Sequence, residues 1–216
     1  MIASIQTHEE IIMITLYHAP GSCSLAVKAA LALTGLEHEV KVIDAQSGEQ
    51  FAPEFVKINP LSKVPALIVD GDIITEGAAI LQYLSEVAPA AKLLPEVGTM
   101  DRAQALKWMM FVYSNVHPHF ARAFVPARYG NDEADVKEKA ESSLHDLFSI
   151  INDQLADNDY LAGSVLSIAD LYLGVAIHWQ MIMKDSLTEK YTNVANYLQR
   201  LLDHPVIGQV YKSELS

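Results

Sequence analysis

The period of the apolar pattern changes once along this chain, near residue 88, and no other feature limits the fold as strongly. Before that point short β-type runs alternate with helical ones; beyond residue 99 strand signals nearly vanish. Residues 11–17 (IIMITLY) form a β-rich run. A Pro20-Gly21 turn follows, and then an alanine- and leucine-rich helical run over 25–33 that stops at Gly35, the residue type favoured just past a helix end. Residues 39–43 read as a second strand, and a short helix follows Pro53, which suits a first helical position. Residues 66–69 and 72–75 flank Asp70-Gly71, a strong two-residue hairpin signal. Residues 76–87 are helical, with Ile80, Leu81, Tyr83, Leu84 and Val87 on one apolar face. The order β-α-β-(α)-β-β-α predicts a small mixed sheet with helices packed on it.

Residues 88–99, with Pro89, Pro95 and Gly98, form a linker. Past it, Leu106, Met110, Tyr113, His117, Phe120 and Phe124 recur at spacings of four and three, one helical stripe. Val136, Ala140, Leu144, Leu147, Ile151 and Leu155 repeat the pattern. Ser167-Ile-Ala-Asp170 is a capping-box variant, flanked by Leu166 and Leu171 where a hydrophobic staple would sit. The division is therefore an α/β domain over 13–87, a linker over 88–99 and an all-α domain over 100–216.

Fifteen basic against twenty-seven acidic residues give a net charge of -12, a field that repels a phosphate backbone or an anionic membrane. The nearest basic groupings, Lys137/Lys139 and Arg122/Arg128, are diluted by acids, so neither nucleic acid nor membrane is an expected partner. One cysteine, Cys23, excludes an internal disulfide and any multi-cysteine zinc site. Residues 1–17 lack the basic leader and unbroken apolar core of a signal peptide, so the expected compartment is the reducing cytoplasm. No His-x-x-x-His pair occurs, His117 and His119 fall on different sides of a helix, and no metal is expected. Nor does a glycine-rich phosphate loop follow any strand.

Four places carry chemistry. Cys23 directly precedes the first helical run, so amide N–H groups and the positive end of the helix dipole should face its sulfur. That setting favours a thiolate, because cysteines at helix N-termini titrate below the free value of about 8.5. Two other readings stay open for Cys23: a small buried hydrophobe, or the neighbour of a ligand's thiolate. If the Val64–Pro65 bond is cis, Val64 turns its N–H and C=O outward to pair with an extended peptide ligand; otherwise Pro65 simply opens a strand. Amides at Glu76 and Gly77 can receive a carboxylate and the Glu76 side chain an ammonium, unless Glu76 only complements the helix dipole. Pro118 cannot donate to the carbonyl of Ser114, so the helix should kink beside His117, which faces the core or the other domain.

The motifs APGSCSLA at 19–26, NPLSKVPAL at 59–67, TEGAAI at 75–80 and SIAD at 167–170 resemble, in order and spacing, the cytosolic glutathione transferases, and among them the bacterial beta class. The resemblance runs from about Ile14 onward, with Met13 a candidate start. It implies a thioredoxin-like N-terminal domain, a helical C-terminal domain and a homodimer, with glutathione as co-substrate in the interdomain cleft. Residue by residue, Cys23 resembles the class's characteristic cysteine, lying against the glutathione sulfur and able to form a mixed disulfide with it. Val64 before Pro65 resembles the partner of the cysteinyl backbone, and Glu76 and Gly77 the γ-glutamyl site. His117 resembles the histidine that helps hold the thiolate, and Ser114 a contact reaching the partner subunit's ligand. Tyr17 is read as structural.

The leading expectation is a detoxifying transferase that joins glutathione to small hydrophobic electrophiles, with the open apolar side lined by the 106–124 helix and Trp179. The alternatives are a glutathione-dependent thiol-disulfide oxidoreductase or peroxidase acting through Cys23, and a non-catalytic ligand-binding or regulatory dimer of the same fold.

Overall fold

The structure, a computed structural model, describes residues 13–215, so the expectations placed on residues 1–12 lie outside it. The first half contributes β1 (Ile14–His18), α1 (Ser24–Thr34), β2 (His38–Val42), α2 (Pro53–Ile58), β3 (Ala66–Val69), β4 (Asp72–Thr75) and α3 (Gly77–Val87). The strands form one sheet in the order β2-β1-β3-β4, with β1 parallel to β2 and antiparallel to β3, and β4 antiparallel to β3. The hairpin is the one Asp70-Gly71 announces: Asp70 has φ 49° and Gly71 φ 96°, the left-handed pair that a two-residue loop needs to follow the strand twist. Helix α1 stops where Gly35, at φ 67°, donates its N–H to the Leu31 carbonyl. Strand β2 starts one residue earlier than expected and is a largely exposed edge; Ile43, just past its end, is what turns inward.

The second half is helical: α4 (Met100–Phe111), α5 (His117–Phe124), α6 (Glu133–Gln154), α7 (Ile168–His178), α8 (Leu187–Lys190), α9 (Thr192–Asp203) and α10 (Ile207–Leu215). The kink expected at His117-Pro118 takes the form of a π turn over Val112–Val116, in which the His117 N–H reaches back to the Val112 carbonyl. The wider turn absorbs the donor that Pro118 lacks. It also shifts the phase of the helix, and the expected stripe is corrected accordingly. The core-facing row is Ala105, Met109, Val112, Val116, Phe120 and Ala123, whereas Met110 and Phe124 are 43% and 47% exposed. Two of that row's six residues are alanines and two are valines, so size-weighted periodicity settles on the neighbouring one.

One apolar core runs through both halves. Leu25, Ala26, Ala29 and Ala30 of α1 are fully buried in the same cluster as Leu171, Leu173 and Val175 of α7 and Ile207 and Tyr211 of α10. The capping box at the start of α7 is present, with Asp170 fully buried. Its carboxylate accepts from the Ser167 amide (2.7 Å), the Ser167 hydroxyl (2.8 Å), the Leu161 amide (2.8 Å) and the Tyr197 hydroxyl (3.0 Å). Asp170→Ala strands these buried donors and should cost about 3–5 kcal/mol, read from urea unfolding midpoints. Asp170→Asn, which keeps one acceptor oxygen, should lose less.

Candidate active site

Five segments meet where the first half faces the second. Cys23 is the cap residue of α1. The cis peptide Val64–Pro65 lies just before β3, and Glu76 and Gly77 open α3. Across from them stand Tyr113, in the π turn, His117, at the start of α5, and Tyr172, on α7. The Cys23 thiol donates to the Val64 carbonyl at 3.4 Å, so that carbonyl is engaged instead of free; the Val64 N–H has no partner among the described residues.

Tyr172, 1% exposed, is the residue that the sequence reading missed. Its hydroxyl lies within hydrogen-bonding reach of the Cys23 sulfur and 2.8 Å from Nδ1 of His117. A buried tyrosine hydroxyl needs a polar partner, which is the one signal that could have singled it out from its apolar helix. Tyr113 was likewise read only as part of a stripe. It donates its hydroxyl to the Glu76 carboxylate and stacks near Tyr172 and His117, with ring centroids 5.5 and 6.3 Å apart. Gly77 sits beneath all of them. A Cβ there would come 3.3 Å from the Tyr172 ring and 3.6 Å from Pro65, so a side chain at this position would press on Tyr172 by a few tenths of an ångström.

The remaining expected residues fall apart from this group or act differently. Ser114 is exposed and spends its hydroxyl on the Met110 carbonyl at 2.7 Å. Trp179, expected to line an open surface, is 5% exposed. Its indole N–H donates to the Gly21 carbonyl at 2.9 Å, and its ring lies 4.9 Å from that of His117. Tyr17 packs against Phe55 at 5.5 Å, in a small cluster that Val64 also borders. Among the amides of the α1 turn, those of Ser24, Leu25 and Ala26 are taken by Ser22 and Cys23. The row of unpaired amides expected at the sulfur therefore reduces to Cys23's own N–H.

Two titrations run against the sequence expectation. Burial pushes the Cys23 thiol up to about 11, outweighing the Tyr172 hydroxyl, its own amide and the positive charge of Lys63. The helix terminus that promised a thiolate is real, but apolar surroundings dominate it. Burial, then Lys63, lowers His117 to about 4, so its ring is neutral at pH 7 and offers a hydrogen bond instead of a charge. Among the described residues no cluster of three or more metal-ligating side chains occurs. Nor is any described helix long and apolar enough to cross a membrane.

With this geometry in place, comparison with known proteins is decisive. The family described as "Glutathione S-transferase, N-terminal domain" matches residues 13–86, and "Glutathione S-transferase, C-terminal domain" matches residues 103–205. This chain belongs to the glutathione S-transferase family. A glutathione S-transferase from Xanthomonas campestris is 34% identical over 167 residues, covering 76% of this chain and 81% of that protein. A glutathione transferase homologue from Sulfitobacter, crystallised with bound glutathione, superposes with a TM-score of 0.85 at 26% identity, covering 94% of this chain and 99% of that one. A bacterial beta class transferase from Sphingomonas chungbukensis superposes with a TM-score of 0.82 at 32% identity over 93% of this chain and 98% of its own.

For this transferase the pH behaviour of the free site follows directly. His117 titrates at about 4 when folded against 6.5 as its ordinary value, so an unfolded chain takes up the proton first. Its contribution to stability is complete above pH 6.5 and is lost as the pH falls toward 4. An NMR titration of the histidine rings should show His117 still neutral at pH 5.5, where an ordinary histidine, titrating near 6.5, is mostly protonated. In parallel, alkylation of Cys23 should accelerate all the way toward pH 11 with no plateau near neutrality.

Proposed function

We propose that the chain binds glutathione in this cleft and transfers its sulfur to small hydrophobic electrophiles. The observation that carries the reading is the chain of contacts from Val64 through Cys23 and Tyr172 to His117, built by both halves beside the N-terminus of α3. Val64, through its unpaired N–H, pairs with the cysteinyl backbone of the tripeptide. Gly77 and Glu76 take the γ-glutamyl head group: the amides face its carboxylate, and the Glu76 carboxylate, shared with Tyr113, faces its ammonium. The glutathione sulfur then rests beside Cys23.

The chemistry asks for a thiolate from a thiol that is mostly protonated at neutral pH. Its proton leaves to water. The sulfur's negative charge is met by the Cys23 amide and the Tyr172 hydroxyl, with Lys63 supplying a distant positive field. Neutral His117 orients Tyr172 and completes the line of donors. The thiolate attacks the electrophile, forming the carbon–sulfur bond as the leaving group or the π electrons accept the pair. Met110 and Phe124, the exposed members of the helical stripe, supply the apolar surface against which such a substrate packs.

The finer assignment to the beta class rests on Cys23 beside Val64–Pro65 and on the likeness to the Sphingomonas protein. A homodimer in which the exposed Ser114 approaches the partner's ligand, a cytoplasmic location, and a domain division at 13–87 and 100–216 with a linker between belong to the same proposal.

Calorimetry with glutathione, followed by conjugation assays on a panel of apolar electrophiles, tests it. Cys23→Ala should abolish thiol–disulfide exchange while conjugation persists; loss of both activities together would favour the oxidoreductase reading instead. Tyr172→Phe should lower conjugation kcat/KM about tenfold, the worth of one hydrogen bond to a charged atom. An unchanged value would remove Tyr172 from the mechanism.

A further inference from the structure

Both backbone polar groups of a single residue in the loop before Cys23, Gly21, are held by the helical half. The Gly21 carbonyl accepts the Trp179 indole N–H at 2.9 Å, and the Gly21 amide donates to Oε2 of Glu214 at 3.2 Å. Glu214 comes from α10, at the far end of the chain, and its side chain is 8% exposed. The same carboxylate faces Nε2 of His18 at 3.0 and 3.1 Å and binds the Lys28 ammonium. His18 in turn bonds Ser24, the first residue of α1, through Nδ1 at 2.7 Å. Burial alone would raise the Glu214 carboxyl, but the His18, Lys28 and Gly21 donors hold it down at about 2. It is therefore an anion throughout the working pH range.

We infer that Glu214 and Trp179 form a two-sided clamp on Gly21 that fixes the position of Cys23, making both of them positioning residues for the sulfur site. Gly21, at φ 68°, has no side chain to anchor the turn, so its backbone is what the clamp must grip. Trp179 also packs on His117, with ring centroids 4.9 Å apart, so one side chain sets both the loop under the cysteine and the ring across from it. The carboxylate works through charge-assisted bonds to a buried histidine, a lysine and an amide, which resist the small shifts a neutral contact would allow. The inference rests on the proposed glutathione site for its catalytic meaning, but the clamp itself can be read without any ligand.

Because Cys23 is the sole cysteine, its alkylation by iodoacetamide reports on the loop directly. Glu214→Ala should speed alkylation about tenfold at fixed pH, the size of one charge-assisted hydrogen bond, and Trp179→Phe, which removes a neutral bond, about fivefold. Amide exchange at residues 21–23 should rise with it. Glu214→Gln, which keeps an acceptor for the Gly21 amide, should recover part of the difference. Tyr211→Phe serves as the control: it removes a buried bond from α10 to the Leu171 carbonyl without touching Gly21. A Tyr211→Phe protein that lost comparable thermal stability and alkylated equally fast would reduce Glu214 to a structural residue and overturn the clamp. So would a Glu214→Ala protein with unchanged alkylation. A wild type that fails to bind glutathione sinks the proposed function while leaving the alkylation comparison intact.

Discussion

The seating of α1 between the sheet and the helical half is the contact on which the rest of this molecule depends. Alanines at 26, 29 and 30 let that helix approach its neighbours closely, and the core they join continues without a break into α7 and α10. Because the first residue of α1 follows the site cysteine, anything that moves the helix moves the chemistry. The two halves therefore do not behave as beads on a linker; they share one interior, and the cleft is the seam left at its surface.

Apolar seating of the cysteine explains why the ligand-free site is electrically quiet. The thiol is held protonated, the histidine is neutral, and the nearest fixed charges are Lys63 and Glu76 at the periphery. An arrangement of this kind stores little charge before substrate arrives. It offers oriented dipoles from an amide and a phenol, which need no rearrangement when a negative sulfur appears among them. In the ligand-free protein the cysteine is therefore a protonated thiol and not a permanently ionised nucleophile.

Much of this was legible in the residues. The Asp70-Gly71 hairpin, the stop at Gly35, the Pro53 helix and the Ser167–Asp170 box are local signals whose physics is complete within a few residues, and each stands where it was expected. The family's motifs also marked Cys23, Val64, Glu76, Gly77 and His117, which the fold does bring together. The phase of the α4–α5 stripe was not legible, because a π turn inserts an extra residue that no fixed period anticipates. Tyr172 hid inside an apolar helix, where its ring reads as core and only its hydroxyl has a task. The lowered affinity of Cys23 and His117 for charge was hidden for a different reason: burial is a tertiary property. Glu214 and Gly21 are 193 positions apart, beyond any local rule.

Glu76 sits at φ 66° and ψ 110°, a backbone state that side-chain-bearing residues avoid and that costs on the order of 1–3 kcal/mol to maintain. Glycine would occupy that spot free of strain. Glycine there would also remove the carboxylate that accepts the Tyr113 hydroxyl, so the strained residue holds a contact between α3 and the π turn. Hardening the scaffold at this position therefore sets backbone ease against the contact that ties the two halves together beside Gly77.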